Sequence, residues 1–161
     1  MAMRIAVIAS AVGASLASGP GGDPIPDPDT CELASAGTVD AVEIGDDDES
    51  SFVPLDDGAS ADFAVGGQGT DMFPMRIRIA GPDLPECLAQ STELVYDGTV
   101  IASTNEPLQT YADAAGTRAT HAMFVIIFDV APSPGESFTV STTVGTITET
   151  RSLMRAQATS L

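Results

Sequence analysis

Residues Val65 to Gly81 read VGGQGTDMFPMRIRIAG, a run of glycines followed by apolar residues that alternate with arginine. Met75, Ile77 and Ile79 fall on one parity, Arg76 and Arg78 on the other. Successive side chains of a strand point to opposite faces, so this spacing predicts a strand half buried in an antiparallel sheet. The glycines in front of it pose a separate question. A glycine loop cradles phosphate when it follows a strand and opens a helix, so that N–H groups converge on the anion. Here GGQGTD leads into a strand, no lysine is near, and Asp71 adds negative charge. Gly66, Gly67 and Gly69 therefore read as a bend between sheets.

Further strand signals recur on both sides of this stretch at the spacing of sandwiches and barrels. TVDAVEI (38–44) begins them, and ADFAV (61–65) follows an Asp57-Gly58 turn. TELVYDGTVIAS (92–103) predicts a hairpin, because Asp97-Gly98 supplies the positive φ angles of a type I′ turn. AMFVIIFDV (122–130) is apolar at eight of nine positions and predicts a central strand covered on both faces. SFTVSTTVGTITETRSLM (137–154) predicts a last pair broken at Gly145, and QTYADAAGTRA (109–119) one turn of helix. Eight or nine short strands without βαβ alternation point to an all-β fold, an antiparallel immunoglobulin-like two-layer sandwich over residues 37–161. A barrel is the alternative. The Cys…Trp…Cys hallmark of true immunoglobulin domains is missing, so this expectation concerns architecture alone.

Residues 1–17, MAMRIAVIASAVGASLA, carry one arginine, a short apolar core, and Ser15 and Ala17 where a signal peptidase cuts. This segment reads as a signal peptide, too short to span a membrane. Residues 18–36, rich in Pro, Gly and Asp, read as a disordered linker. No cysteine stands at the cleavage site, so the expected product is secreted or periplasmic and not lipidated. The chain's two cysteines, Cys31 and Cys87, are expected to pair as a disulfide in an oxidising compartment.

Six arginines, no lysine and 23 acidic residues give a net charge of -17. That field excludes nucleic acid and anionic lipid as partners, because a polyphosphate is bound by a basic stripe that displaces its counterions. Acidity without lysine also suits salty surroundings, where screening shortens the reach of self-repulsion.

Two stretches offer ligands for a metal. IGDDDES places Asp46, Asp47, Asp48 and Glu49 in a row, whereas calcium wants oxygens at alternating positions around a tight turn; a solvated, self-repelling loop is the plainer reading. HAM holds the one histidine, His121, with Met123 on the same face if alternation continues; Met72 and Met75 are conceivable further ligands for Cu(I), which favours thioether and imidazole. As core filler, the same methionines need no metal. A single histidine, no lysine and no GxSxG leave the common nucleophilic mechanisms without their parts, so the chain is not expected to be an enzyme.

The order VEIG…SFVPLDDG…FAVGGQGTDMFPMRIRIAG, residues 42 to 81, resembles the opening of uncharacterised exported β-sandwich proteins and lipoproteins common in myxobacteria. That resemblance covers about a quarter of the chain and departs at Thr70-Asp71-Met72, where a histidine is common in the group. It implies export and a sandwich fold, and it carries over no catalytic residue. The expected function is that of an exported, non-enzymatic module. It would act as a structural, adhesive or ligand-binding accessory toward a protein or glycan at the cell surface or in the periplasm, with a metal carrier (Cu(I) or Ca²⁺) as the alternative.

Overall fold

The structure, a computed structural model, describes Cys31 and residues 34–157. The expected signal peptide, residues 1–17, lies outside the described residues, as does most of the 18–36 segment. The part of that segment that is described is attached to the domain: Ser35 N donates to Cys87 O at 3.0 Å, and Ala89 N donates to Ser35 O at 2.9 Å. Cys31 and Cys87 pair as a disulfide with their Cα atoms 5.2 Å apart.

The described chain is all-β. Its strands are β1 (Ala41–Gly45), β2 (Ser60–Ala61), β3 (Ala64–Val65), β4 (Asp71–Ala80), β5 (Cys87–Leu88), β6 (Ser91–Tyr96), β7 (Thr99–Thr104), β8 (Leu108–Ala112), β9 (Thr117–Thr120), β10 (Met123–Ile126), β11 (Ser137–Val144) and β12 (Ile147–Arg155). One sheet runs β1-β4-β9-β8-β5, with β3 and β10 also paired to β4; the other runs β2-β12-β11-β6-β7. All pairs are antiparallel except β2 with β12. The sheets share one core, and they also touch along one side, where Phe128 N donates to Ile101 O at 2.9 Å.

Alternation places the core. Phe73, Met75, Ile77 and Ile79 of β4 point inward against Phe138, Val140 and Val144 of β11, and the rings of Phe63, Phe73 and Phe138 meet at 5.1–5.7 Å between centroids. Polar side chains on the inner face of the second sheet are satisfied among themselves: Thr92 Oγ donates to Gln90 Oε1 at 2.7 Å and lies 2.9 Å from Thr142 Oγ. Such pairing is what makes burying a hydroxyl tolerable.

The glycine stretch resolves as a hairpin within one sheet and not as the expected bend between sheets, because β3 and β4 on either side of it pair with each other. Val65 pairs with Asp71, Gly69 N donates to Gly66 O, and Gly69 takes a φ of +78° at the end of the loop, a left-handed conformation open to glycine. Asp97 and Gly98 both adopt positive φ, 49° and 75°, as a type I′ turn requires.

Two further expectations are corrected. QTYADAAGTRA is a strand hairpin and not a helical turn, because Tyr111 pairs with Ala119 across β8 and β9. AMFVIIFDV is not covered on both faces: Met123, Val125 and Ile127 are buried, whereas Phe124, Ile126, Phe128 and Val130 are 52%, 58%, 64% and 70% exposed. The inner parity is filled by the shared core, and among the described residues no element lies over the outer parity.

Candidate functional site

The outer face of the first sheet carries a polar and aromatic cluster that begins with a register slip. Ala119 sits opposite Arg78 in β9, and Met123 sits opposite Met75 in β10. The span from 119 to 123 is four residues and that from 78 to 75 is three, so one extra residue is inserted and His121 and Ala122 together face Arg76. This is a β-bulge, which interrupts the ladder and re-aims side chains. It sends His121 outward while Met123 turns into the core.

A bulge leaves backbone groups without ladder partners, and here side chains take them. Arg76 Nε donates to Thr120 O at 2.9 Å, and Ala122 N donates to Glu49 Oε1 at 2.7 Å. His121 Nδ1 lies 3.0 Å from Glu49 Oε2; a carboxylate only accepts, so this nitrogen carries the proton. The His121 ring packs on Tyr111 with 4.8 Å between centroids.

Arg76 is 1% exposed and makes the remaining connections. Its Nη1 donates to the carbonyls of Asp48 and Ser51, and its Nη2 donates to the Tyr111 hydroxyl. The segment 46–54 thus folds as a flap over this face, tied at its root by Asp46 N donating to Val53 O at 3.1 Å. Phe52 closes it, with the Arg78 guanidinium carbon 4.4 Å from its ring centroid. Its ring needs a glycine beneath: a Cβ at Gly45 would sit 2.6 Å from a Phe52 ring carbon. Arg78 itself is paired with Glu43 at 2.6 Å and Asp113 at 3.4 Å.

The acidic row is therefore not a free loop. The carbonyl oxygen of Asp48, of the kind a cation-binding loop would present to an ion, is directed with that of Ser51 at an internal guanidinium. Of its carboxylates, Glu49 bonds to the bulge, Asp46 Oδ1 accepts from Asp48 N, and Asp48 Oδ1 accepts from Ser50 N. Among the described residues no group of three His, Cys, Asp or Glu side chains is placed to hold a metal ion. Nor do His121, Met123, Met72 and Met75 converge. Met75 and Met123 are cross-strand neighbours in the core, Met72 lies on the opposite face of β4 from Met75, and His121 is exposed beside Glu49. The alternation that puts His121 and Met123 on one face is overturned by the bulge between them.

Glu49 links this geometry to pH. Partial burial pushes its carboxyl up, but the Ala122 N–H, the His121 ring and the Arg76 charge together hold it below its ordinary 4.5. A depressed carboxyl stabilises the fold above its unfolded pKa, and that contribution is lost as pH falls through the folded pKa. Acidification below about 4.5 is thus expected to release Ala122, and hydrogen exchange of the Ala122 amide should accelerate there beyond its intrinsic pH dependence. Glu49→Gln, which cannot ionise, should show no such step.

A second feature of the same sheet face lies beyond the flap. Phe124 is the cross-strand neighbour of Pro74, and Ile126 of Met72, which in turn neighbours Ala64. Pro74 falls in the gap between β3 and β1 along one side of β4, where a residue without an N–H is tolerated. A cleft of about 180 Å³ opens at this gap, lined by Asp46, Asp47, Asp62, Phe73 and Pro74. At the far end of the apolar row, Tyr96, Asp97, Ile101, Asp129 and Val130 line a groove of about 290 Å³. Sequence reasoning missed this row because an unbroken apolar run looks the same whether one face or both are covered.

No helix among the described residues is long and apolar enough to cross a membrane. Nothing matches the chain among protein families, curated proteins or solved structures.

Proposed function

We propose that this is an exported, non-enzymatic binding module of immunoglobulin-like sandwich architecture, acting at the cell surface or in the periplasm. The observation that carries the reading is the row Phe124, Ile126, Phe128 and Val130, four large apolar side chains on alternate positions, each more than half exposed. An exposed contiguous apolar surface on a folded domain marks an interaction site. Aliphatic Ile126 and Val130 favour a protein partner over a glycan.

Several features support the rest. The Cys31–Cys87 disulfide fits an oxidising compartment. Two largely antiparallel sheets around one core are the arrangement an immunoglobulin-like sandwich has.

The test compares the purified domain with its Phe124→Thr/Ile126→Thr variant, immobilised and exposed to the exported proteins of the source cells. Threonine keeps strand propensity while removing the apolar surface. The wild type is expected to retain a partner that the variant loses. Equal retention by both, or retention by neither, overturns the reading.

A further inference from the structure

Resting on that binding-face reading, we infer that the partner's contacting segment is an extended, cationic peptide in which apolar residues alternate with lysine or arginine. Length comes first. Strand β10 ends at Ile126, Ile127 adds one bridge to Ala102 and the chain bends at Asp129, so the extended part of the row runs from Phe124 to Phe128, four residue steps or roughly 13 Å at strand rise, which matches an extended segment of about five residues. Alternation comes next. A row of side chains at every second position is met most closely by a chain with the same period.

Charge decides the rest. Acids border the row at both ends: Asp46, Asp47 and Asp62 beside Pro74, and Asp97 and Asp129 in the groove that Val130 lines. The five arginines within the described residues are committed inside the fold. Arg76 bonds to Thr120, Asp48, Ser51 and Tyr111; Arg78 to Glu43 and Asp113; Arg118 to Thr110; Arg151 to Leu55 and Glu149; Arg155 to Asp71 and Pro132. The cations that complement these bordering acids must therefore come from the partner. A second copy of the chain is disfavoured as occupant, because it would bring its own charge of -17 against the same acids. Complementary charge raises the association rate and makes it salt-dependent.

The probes are three labelled nine-residue peptides, alternating lysine with isoleucine, glutamate with isoleucine, and lysine with serine, titrated with the purified domain and followed by fluorescence anisotropy. The lysine–isoleucine peptide is expected to bind. Its affinity should fall about tenfold or more in Phe124→Thr/Ile126→Thr, because truncating central apolar anchors costs at least that much. It should fall a few-fold in Asp62→Asn/Asp129→Asn, and further as salt rises from about 50 to about 500 mM. The other two peptides should bind at least about tenfold more weakly.

Each contrary result overturns the inference in its own way. Equal binding of the glutamate–isoleucine peptide makes the face apolar only, leaving the binding-face reading intact. Equal binding of the lysine–serine peptide, or indifference to Phe124→Thr/Ile126→Thr, reduces the effect to the general acidic surface. Failure of all three peptides, with a natural partner still lost on the same substitution, removes the cationic segment but keeps the face. A wild-type dimer in sedimentation that the same substitution dissociates names a second copy as the occupant. Unchanged circular dichroism and melting of the variants show that the fold survives these exposed substitutions.

Discussion

Replacing Arg76 with methionine should lower the unfolding free energy by about 3 kcal/mol, the largest local effect expected from one side chain of the flap region. Arg76 is 1% exposed, and among the described residues its acceptors are the carbonyls of Thr120, Asp48 and Ser51 and the Tyr111 hydroxyl, with no carboxylate bonded to it. Hydrogen bonds to a charged group contribute roughly 1.5–3 kcal/mol each, so the set gives roughly 6–12 kcal/mol gross. Removing the ion also removes its desolvation cost, several kcal/mol in the opposite direction. The difference remains unfavourable because the bulge carbonyl of Thr120 stays behind without its donor. Denaturant titration reads the total, and hydrogen exchange over residues 46–54 and 121–122 reads the flap. Wild-type stability in the methionine variant would mean that Arg76 only fills space. Lysine should recover little, since an ammonium lacks the planar fork that reaches several acceptors at once.

Opening the Cys31–Cys87 bond should cost a similar amount by another route. The bond spans 56 positions, and the chain-entropy account assigns a loop of that length about 4 kcal/mol as an upper figure. Here the loss comes through the unfolded chain, which gains freedom when the loop opens. Cys31→Ser/Cys87→Ser should therefore shift the denaturation midpoint down while leaving the core spectrum unchanged. The Ser35 bonds to Cys87 and Ala89 remain in the reduced protein and hold the entering segment with less help. Against a typical total of about 5–15 kcal/mol, either change removes a large share of stability. An unchanged midpoint on reduction would show that the loop closes in the unfolded ensemble without the bond.

What could be read ahead of the structure followed from local rules. Alternation in FPMRIRI gave the inner face of β4, and Asp97-Gly98 gave the β6–β7 turn, because side-chain period and positive φ are properties of neighbouring residues. The glycine stretch was legible as a turn for the same reason, but not its place, since it closes a hairpin within one sheet and does not bridge two. The bulge was not, since one inserted residue shows only when β9 and β10 are laid against β4. That slip separates His121 from Met123, and with it goes the copper-like convergence their spacing suggested. Arg76 was read as a solvent-facing partner of the buried parity, but the flap that covers it comes from a distant part of the sequence. The apolar run 122–130 was misread in the other sense: its composition is that of a doubly covered strand, and only the layer arrangement reveals an uncovered side.

The placement of the arginines has a consequence for resistance to proteolysis. The chain has no lysine, and every described arginine lies within a strand: Arg76 and Arg78 in β4, Arg118 in β9, Arg151 and Arg155 in β12. A trypsin-like protease must draw several residues around its cleavage point out of their pairings before it can cut. Attack by such enzymes on residues 34–157 therefore has to wait until strands come apart, and digestion becomes a clock for opening of the fold. A domain built this way sheds no basic loop for those proteases to sample while it remains intact.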